Sequence, residues 1–175
     1  IYPKLYRLDH ETAEFTLLLD AGRPIRELWR DDQGDRWYFL RDENGDENFQ
    51  IHRLSEDFRG HAVVYGHKDR RAAIVDASPD GKRLYVLSNH EDKAAFRLYR
   101  VDPATGKDEV LSPAGLSVDG AVIDPYEKRA ALAQALGNNE IRIHLLDLAS
   151  KEAKLILARP DTGFEPAFFH PEKDE

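Results

Sequence analysis

Histidine is the residue type here that is best suited to metal binding or to proton transfer near neutral pH, and seven are present. His61 and His67 flank one predicted strand, so their side chains point the same way but stand roughly 20 Å apart. One metal ion cannot bridge that distance. His10, His90 and His170 fall in predicted turns. The spacing therefore predicts no histidine metal site.

A second set of candidate ligands lies in the acidic stretch of residues 42–48. Asp42, Asn44 and Asp46 place oxygen donors at alternate positions, and oxygens are the ligands that Ca²⁺ prefers. The stretch departs from an EF-hand loop, because Gly45 precedes the third acidic position instead of following it. Asn44 followed by Gly45 is also a strong hairpin signal. We therefore favour a hairpin without a metal ion, with a calcium site as the weaker alternative.

The sequence offers no clear candidate for a catalytic nucleophile. Cysteine is absent, which excludes disulfides, thiolate metal sites and cysteine nucleophiles. A serine nucleophile of the α/β-hydrolase type needs Gly-x-Ser-x-Gly on a strand-to-helix turn. The nearest match, Gly115-Leu116-Ser117-Val118-Asp119-Gly120, has one residue too many and lies between two predicted strands. We predict no catalytic residue and no cofactor in this chain.

Length and charge narrow the class of protein further. The chain has 175 residues, a net charge of −8 and a pI near 5.4, which suits one domain and argues against binding nucleic acid or a membrane surface. No apolar run approaches a membrane span, so we expect a soluble protein, cytoplasmic or periplasmic. Methionine is absent even at position 1, which suggests a piece of a longer protein.

An internal repeat in the sequence predicts the secondary structure that carries these residues. Four similar segments begin 45–47 residues apart: Leu5-Tyr6-Arg7-Leu8, Ile51-His52-Arg53-Leu54, Leu98-Tyr99-Arg100-Val101 and Ile143-His144-Leu145-Leu146. Pro79, Pro125 and Pro171 keep the same period independently. One position of the repeat holds aromatic rings that we expect to pack between repeats: Tyr6, His52, Tyr99 and His144.

Each repeat contains four runs of β-branched and aromatic residues separated by turn residues, so it is predicted to form four strands, named a to d. The Ala-rich run at 129–136 has weak helical spacing, but its place in the repeat predicts a strand. Fifteen strands are expected in all. They are strand a at 25–30, 72–76, 119–123 and 164–169; strand b at 35–40, 82–87 and 129–135; strand c in the four segments above; and strand d at 15–19, 61–65, 108–111 and 153–157.

A four-stranded unit of this length in tandem is typical of a β-propeller blade. We therefore predict an all-β fold, a partial propeller with three complete antiparallel blades and split ends. The ends either form one split blade or, as we favour, were cut from a longer ring. The predicted units are strands c and d of a first blade at 1–24, blades at 25–70, 71–118 and 119–163, and the first strand of a next blade at 164–175.

The segment from Ser78-Pro79-Asp80-Gly81-Lys82 through the following strand resembles the repeat element of TolB-like propellers. Residues 42–54 are similar to a hairpin in the amino-terminal propellers of the prolyl oligopeptidase family of serine peptidases. This resemblance implies a non-catalytic propeller that filters peptide substrates, as in acylaminoacyl peptidases, for an α/β-hydrolase domain outside the chain. The alternative is a TolB-like propeller that binds partner proteins and has no enzymatic activity.

The predicted topology collects the b-to-c and d-to-a loops on one rim, which is rich in carboxylates. This acidic rim is either a solvated edge or a site that attracts a cationic group such as the free amine of a peptide. Its candidate residues are Glu43, Asp46, Glu47, Glu91, Asp92 and Glu140. A further expected partner is a second copy of the chain, or the remaining blades, paired with the open edges near Lys4 and Phe168.

Overall fold

The computed structural model describes residues 2–31, 36–137 and 139–160, together with Phe169. These residues form β-strands and no helix. The strands are β1 Leu5–Leu8, β2 Phe15–Leu19, β3 Arg26–Arg30, β4 Trp37–Arg41, β5 Gln50–Leu54, β6 His61–Tyr65, β7 Ala72–Ala77, β8 Leu84–Asp92, β9 Ala95–Val101, β10 Asp108–Val110, β11 Gly120–Ile123, β12 Arg129–Ala135, β13 Glu140–Asp147 and β14 Ala153–Pro160.

Every strand pairs antiparallel with the strand that follows it in the same sheet. Strands β1 and β2 form a two-stranded hairpin, and three four-stranded sheets follow: the first sheet β3–β6, the second sheet β7–β10 and the third sheet β11–β14. The four repeated segments lie in β1, β5, β9 and β13, as predicted. The predicted strand at 164–169, the unit 164–175, Pro171, His170 and the edge at Phe168 lie outside the described residues, apart from Phe169.

Strand β12 shows why the Ala-rich run is a strand. Ala130 and Leu132 are buried in one cluster, between the second and third sheets. Ala131 and Ala133 point the other way, into a cluster that includes Ile143 and is packed by Phe169. Both faces of the strand are therefore covered, and alternate residues face opposite clusters, which is the period of a strand. The strand prediction for this run is confirmed.

Equivalent turns close each repeat with the same hydrogen bonds. In the turns between strands c and d, backbone N–H groups bond to carbonyl groups five residues later at four places: Asp9 to Glu14, Ser55 to Gly60, Asp102 to Lys107 and Asp147 to Glu152. In the turns between strands a and b the same spacing occurs three times: Asp31 to Arg36, Ser78 to Arg83 and Asp124 to Arg129. Pro79 and Pro125 lie in two of these turns, and the first closes without a proline.

The core lies between sheets rather than within one. The hairpin and the first sheet share a cluster that includes Leu19, Phe39 and Leu54. The first and second sheets share a cluster built around Tyr38, Tyr65 and Tyr99, and the second and third share another. Among the described residues, the first and second sheets are thus each packed between two neighbours in sequence.

In the first and second sheets, an arginine at the start of strand b reaches the next sheet. Arg36 donates to the carbonyl oxygen of Gly81 in the turn between β7 and β8. Arg83 donates to Glu127 Oε2 at 2.8 Å, in the turn between β11 and β12, and Tyr85 donates to the other oxygen of Glu127 at 2.8 Å. The guanidinium of Arg129 lies 5.7 Å from the centre of the Phe169 ring. The contacts of Arg36, Arg83 and Tyr85 link successive sheets along one rim.

The turn before β12 depends on a buried carboxylate. Asp124 is 3% exposed and accepts hydrogen bonds from the backbone N–H groups of Tyr126, Lys128 and Arg129 at 2.8–3.0 Å. We predict that Asp124→Ala lowers the free energy of unfolding by about 2–3 kcal/mol, because it leaves N–H groups unpaired around a buried site. Denaturant unfolding measures this loss.

The matched control is Asp80→Ala, in the equivalent turn of the second sheet. Asp80 is exposed and accepts hydrogen bonds from the Ser78 hydroxyl and the Lys82 N–H, so its loss costs about 1 kcal/mol or less. Equal losses from the two substitutions would show that burial of Asp124 is irrelevant to the turn.

Candidate functional site

The connections from strand b to c and from strand d to a lie at the same end of each sheet, because neighbouring strands run in opposite directions. This end carries the acidic rim: Glu43, Asp46, Glu47, Glu91, Asp92 and Glu140. Glu43, Asp46 and Glu47 lie in the loop between β4 and β5. Glu91 and Asp92 were expected in a loop but form the end of β8, since β8 and β9 pair as far as Asp92 and Ala95. Glu140 is the first residue of β13.

Arginines of the same chain neutralise most of these carboxylates. The ion pairs are Glu43 with Arg41 at 3.1 Å, Glu47 with Arg71 at 3.1 Å, Glu91 with Arg97 at 2.6 Å and Glu140 with Arg142 at 2.8 Å. Asp46 and Asp92 instead accept hydrogen bonds from the backbone N–H groups of Asn48 and Ala94. The rim is therefore less negative than its composition suggests, and its role as a binding site stays a prediction.

A shallow depression of about 190 Å³ opens on this rim beside the first sheet. It is bordered by the loop between β4 and β5 and by the loop between β6 and β7: Glu43, Asn44, Asp46, Asn48, Gln50, Lys68 and Asp69. Three carboxylates face one lysine, so the lining carries excess negative charge. Typical ligand pockets exceed about 300 Å³, so the depression suits a single charged group rather than a whole small molecule.

The proposed calcium ligands are used within the protein. Asp42 is buried and accepts a hydrogen bond from Arg23 Nη2 at 3.0 Å and another from the Glu47 N–H at 3.2 Å. Its pKa is lowered because these bonds outweigh the opposing effect of burial, which is the largest single contribution. Gly45 has a φ of 75°, the left-handed conformation that a hairpin glycine adopts. The geometry favours the hairpin interpretation, and the calcium alternative at Asp42, Asn44 and Asp46 stays untested.

His52 is buried and its imidazole pairs with that of the half-buried His61. Its ring stacks on Phe39 with centres 5.3 Å apart, and its Nδ1 lies 3.0 Å from the Nδ1 of His61. Its Nε2 is buried and finds no hydrogen-bond partner among the described residues. Burial, with smaller contributions from His61 and Arg41, lowers the pKa of His52 to about 4. His52 therefore acts as an uncharged ring that packs in the core.

The same repeat position is used for packing in the next sheet. Tyr99 is 1% exposed and belongs to the cluster shared by the first and second sheets, as predicted. Tyr6 departs from the expectation, since 49% of its surface is exposed in the hairpin. His144 is half-buried, and its Nε2 lies 3.3 Å from the amide oxygen of Gln134.

Sequence reasoning missed a cluster formed by His67, His90 and Asp108. His90 lies within β8 and not in a turn, which corrects the expectation above, because β8 continues to Asp92. Its ring is parallel to that of His67, with centres 4.2 Å apart, and its Nε2 lies 3.6 Å from Asp108 Oδ2. Burial and His67 lower the pKa of His90, and Asp108 opposes them. His67 comes from one repeat and His90 and Asp108 from the next, so no linear motif signals them.

The comparisons with known proteins concern the fold. No family model matches the chain, and no curated protein is a significant match. Among solved structures, a prolyl endopeptidase superposes with a TM-score of 0.68 and 16% identity, over 90% of this chain and 26% of that one. The described strands have the arrangement of successive blades. The chain folds as part of a β-propeller.

Other structures share this propeller fold. TolB from Acinetobacter baumannii matches with a TM-score of 0.63 and 18% identity, over 88% of this chain and 37% of TolB. An oligogalacturonate lyase, solved in complex with manganese, matches with a TM-score of 0.67 and 17% identity, over 86% and 41% of the two chains. This chain thus spans about a quarter to two fifths of these three proteins. Within its described part, no helix has the length and hydropathy of a transmembrane span.

The low pKa of His52 predicts how stability depends on pH. In the unfolded chain a histidine titrates at about 6.5. Between that pH and about 4 the unfolded state binds more protons than the folded state, so stability falls as the pH is lowered through this window. His52→Phe keeps an aromatic ring against Phe39 but does not titrate. We expect its melting temperature to change less between pH 6.5 and 4 than that of the wild type.

His10→Ala is the control, since His10 is exposed in the turn between β1 and β2. It should keep the wild-type dependence of melting temperature on pH. If His52→Phe keeps that dependence too, the pair of His52 and His61 does not account for acid sensitivity.

Proposed function

We propose that the chain supplies blades of a propeller that covers the active site of a serine peptidase resembling the prolyl oligopeptidase family. The propeller selects substrates, and a hydrolase domain outside residues 1–175 carries out the chemistry. Blades outside this chain complete the ring.

The observation that carries the proposal is the superposition on a prolyl endopeptidase, which covers nine tenths of this chain but only 26% of that enzyme. The similarity of residues 42–54 to a hairpin of that family agrees with it. Fold alone does not establish function, so the proposal needs a direct chemical test.

The described residues support a non-catalytic role. The nearest match to a nucleophile motif lies in the connection between β10 and β11, at residues 115–119, and its last residue, Gly120, begins β11. This connection joins two strands, whereas a nucleophile elbow requires a turn from a strand into a helix. The serine at position 117 therefore lacks the local geometry that would expose and activate it.

A fluorophosphonate probe, which reacts with activated serines, tests the proposal on the full-length protein that contains these blades. We expect covalent labelling at a serine outside residues 1–175, located by peptide mass spectrometry. The 175-residue chain alone is the control and should stay unlabelled. A full-length protein without labelling would overturn the peptidase proposal.

A second candidate function is a TolB-like propeller that binds partner proteins without catalysis. The match to TolB from Acinetobacter baumannii, at a TM-score of 0.63, favours this alternative. The same labelling experiment separates the two, because a binding propeller has no activated serine anywhere in the protein.

The depression at the rim suggests how selection works in the peptidase. Asp46 is exposed and, unlike Glu43, has no arginine partner among the described residues, so its charge is available to the free amine of a peptide. We expect Asp46→Asn to raise KM for a free-amine peptide by about two- to fivefold, the range for an exposed ion pair, with kcat unchanged.

Two controls make the test specific. The same peptide with an acetylated amine should give equal KM values for the wild type and Asp46→Asn. Asp92→Asn removes a rim carboxylate outside the depression and should leave both KM values unchanged. If acetylation and Asp46→Asn have independent effects, the depression does not bind the amine.

A further inference from the structure

We propose that His67, His90 and Asp108 bind a divalent transition-metal ion, with Zn²⁺ as the best fit, at the junction of the first sheet (β3–β6) and the second sheet (β7–β10), which are called the first and second blades below. The proposal does not depend on the peptidase function.

The spacing of the ligand atoms suits one ion. One nitrogen of each imidazole and one oxygen of the carboxylate all lie within 4.8 Å of one another. Zinc holds its ligands at about 2.0–2.1 Å, so two ligands of a tetrahedral ion stand about 3.3–3.4 Å apart. His90 Nε2 and Asp108 Oδ2 are already 3.6 Å apart. To complete the site the exposed His67 side chain must rotate, because its ring is stacked on that of His90 with centres 4.2 Å apart.

The hydrogen bonds that Tyr65 makes with Asp108 and His90 leave a lone pair of His90 facing Asp108. The Tyr65 hydroxyl is 2.7 Å from Asp108 Oδ2 and 3.1 Å from His90 Nδ1. A hydroxyl has one proton, and it goes to the nearer, charged oxygen. His90 Nδ1 must then donate to the tyrosine oxygen, which leaves the Nε2 of the neutral ring as a lone pair. That lone pair faces a carboxylate oxygen at a distance too long for a hydrogen bond.

This arrangement matches the outer shell of metal-bound histidines. Such a histidine usually donates its second N–H to an oxygen, which fixes the ring and the tautomer. Tyr65 is 3% exposed in β6 and supplies that oxygen to His90 while it also orients Asp108. One buried phenol therefore positions two of the three ligands.

The ligands come from both blades. His67 follows β6, the last strand of the first blade, whereas His90 is in β8 and Asp108 begins β10 of the second blade. A bound ion would cross-link the two blades. His67 and Asp108 are exposed, so a water molecule can take the fourth position.

The donor set also selects the type of metal. Two imidazoles and one carboxylate suit zinc and its first-row neighbours, whereas Ca²⁺ and Mg²⁺ prefer sites made of oxygen alone. Arg70 opposes binding, because its guanidinium donates to the His90 carbonyl oxygen at 3.2 Å and brings positive charge nearby. Arg70→Gln should therefore tighten zinc binding.

Calorimetric titration of the protein with ZnCl₂ tests the proposal. We expect one zinc ion per chain, and at least tenfold weaker binding in His67→Ala and in Asp108→Asn. Both side chains are exposed, and the asparagine can still accept the hydrogen bond from Tyr65, so both variants should fold. His10→Ala removes an exposed histidine elsewhere and should bind zinc like the wild type.

Two further measurements separate this site from surface binding. Co²⁺ should give the intense visible absorption of a tetrahedral site in the wild type and in His10→Ala, but not in Asp108→Asn. Zinc should raise the melting temperature of the wild type more than that of Asp108→Asn, because the ion binds the folded state. Absence of zinc binding, or equal binding by the wild type, His67→Ala and Asp108→Asn, would overturn the proposal.

Discussion

The structure depends on one constraint, which is that each four-stranded sheet has two apolar faces and cannot cover both by itself. Apolar area removed from water contributes about 25 cal/mol per Å², so an uncovered face forgoes much of the stabilisation of the sheet. The buried clusters accordingly lie between sheets, as where Tyr38 and Tyr99 meet. Even the small side chains of Ala131 and Ala133 are explained by this constraint, because β12 is covered on both sides.

Apolar packing is non-directional, so it does not by itself fix the angle between one blade and the next. Polar contacts at the rims also join successive blades and favour one angle. Arg36 and Arg83 occupy equivalent positions, and each bonds to the turn between strands a and b of the following blade. The chemical partner differs, a backbone carbonyl in one case and Glu127 in the other, yet the direction is the same. A repeated basic residue with a variable acceptor allows the blades to diverge in sequence while they keep one geometry.

The fold was predictable from the sequence because a repeat reports the same information several times. The run at 129–136 has weak helical spacing, but the equivalent positions of the other repeats predict a strand. The first turn between strands a and b has no proline, yet it closes with the same hydrogen bond as those at Pro79 and Pro125. The histidines were not predictable in this way. His90 was assigned to a turn because polar neighbours end most strands, whereas β8 continues through them and pairs at Asp92. A contact between residues 67, 90 and 108 depends on how two blades meet, which the period does not encode.

For the rim carboxylates, the sequence predicts the position but not the electrostatic environment. Their positions on one rim followed from topology, but a count of acidic residues does not measure the charge that a ligand meets. Glu47 and Glu91 each lie beside an arginine that comes from another strand or loop, so much of their field is cancelled within the protein. Asp108, in contrast, accepts a hydrogen bond from the Tyr65 hydroxyl and lies beside the imidazoles of His67 and His90. The cation site that we propose therefore lies between blades rather than in the most acidic loop.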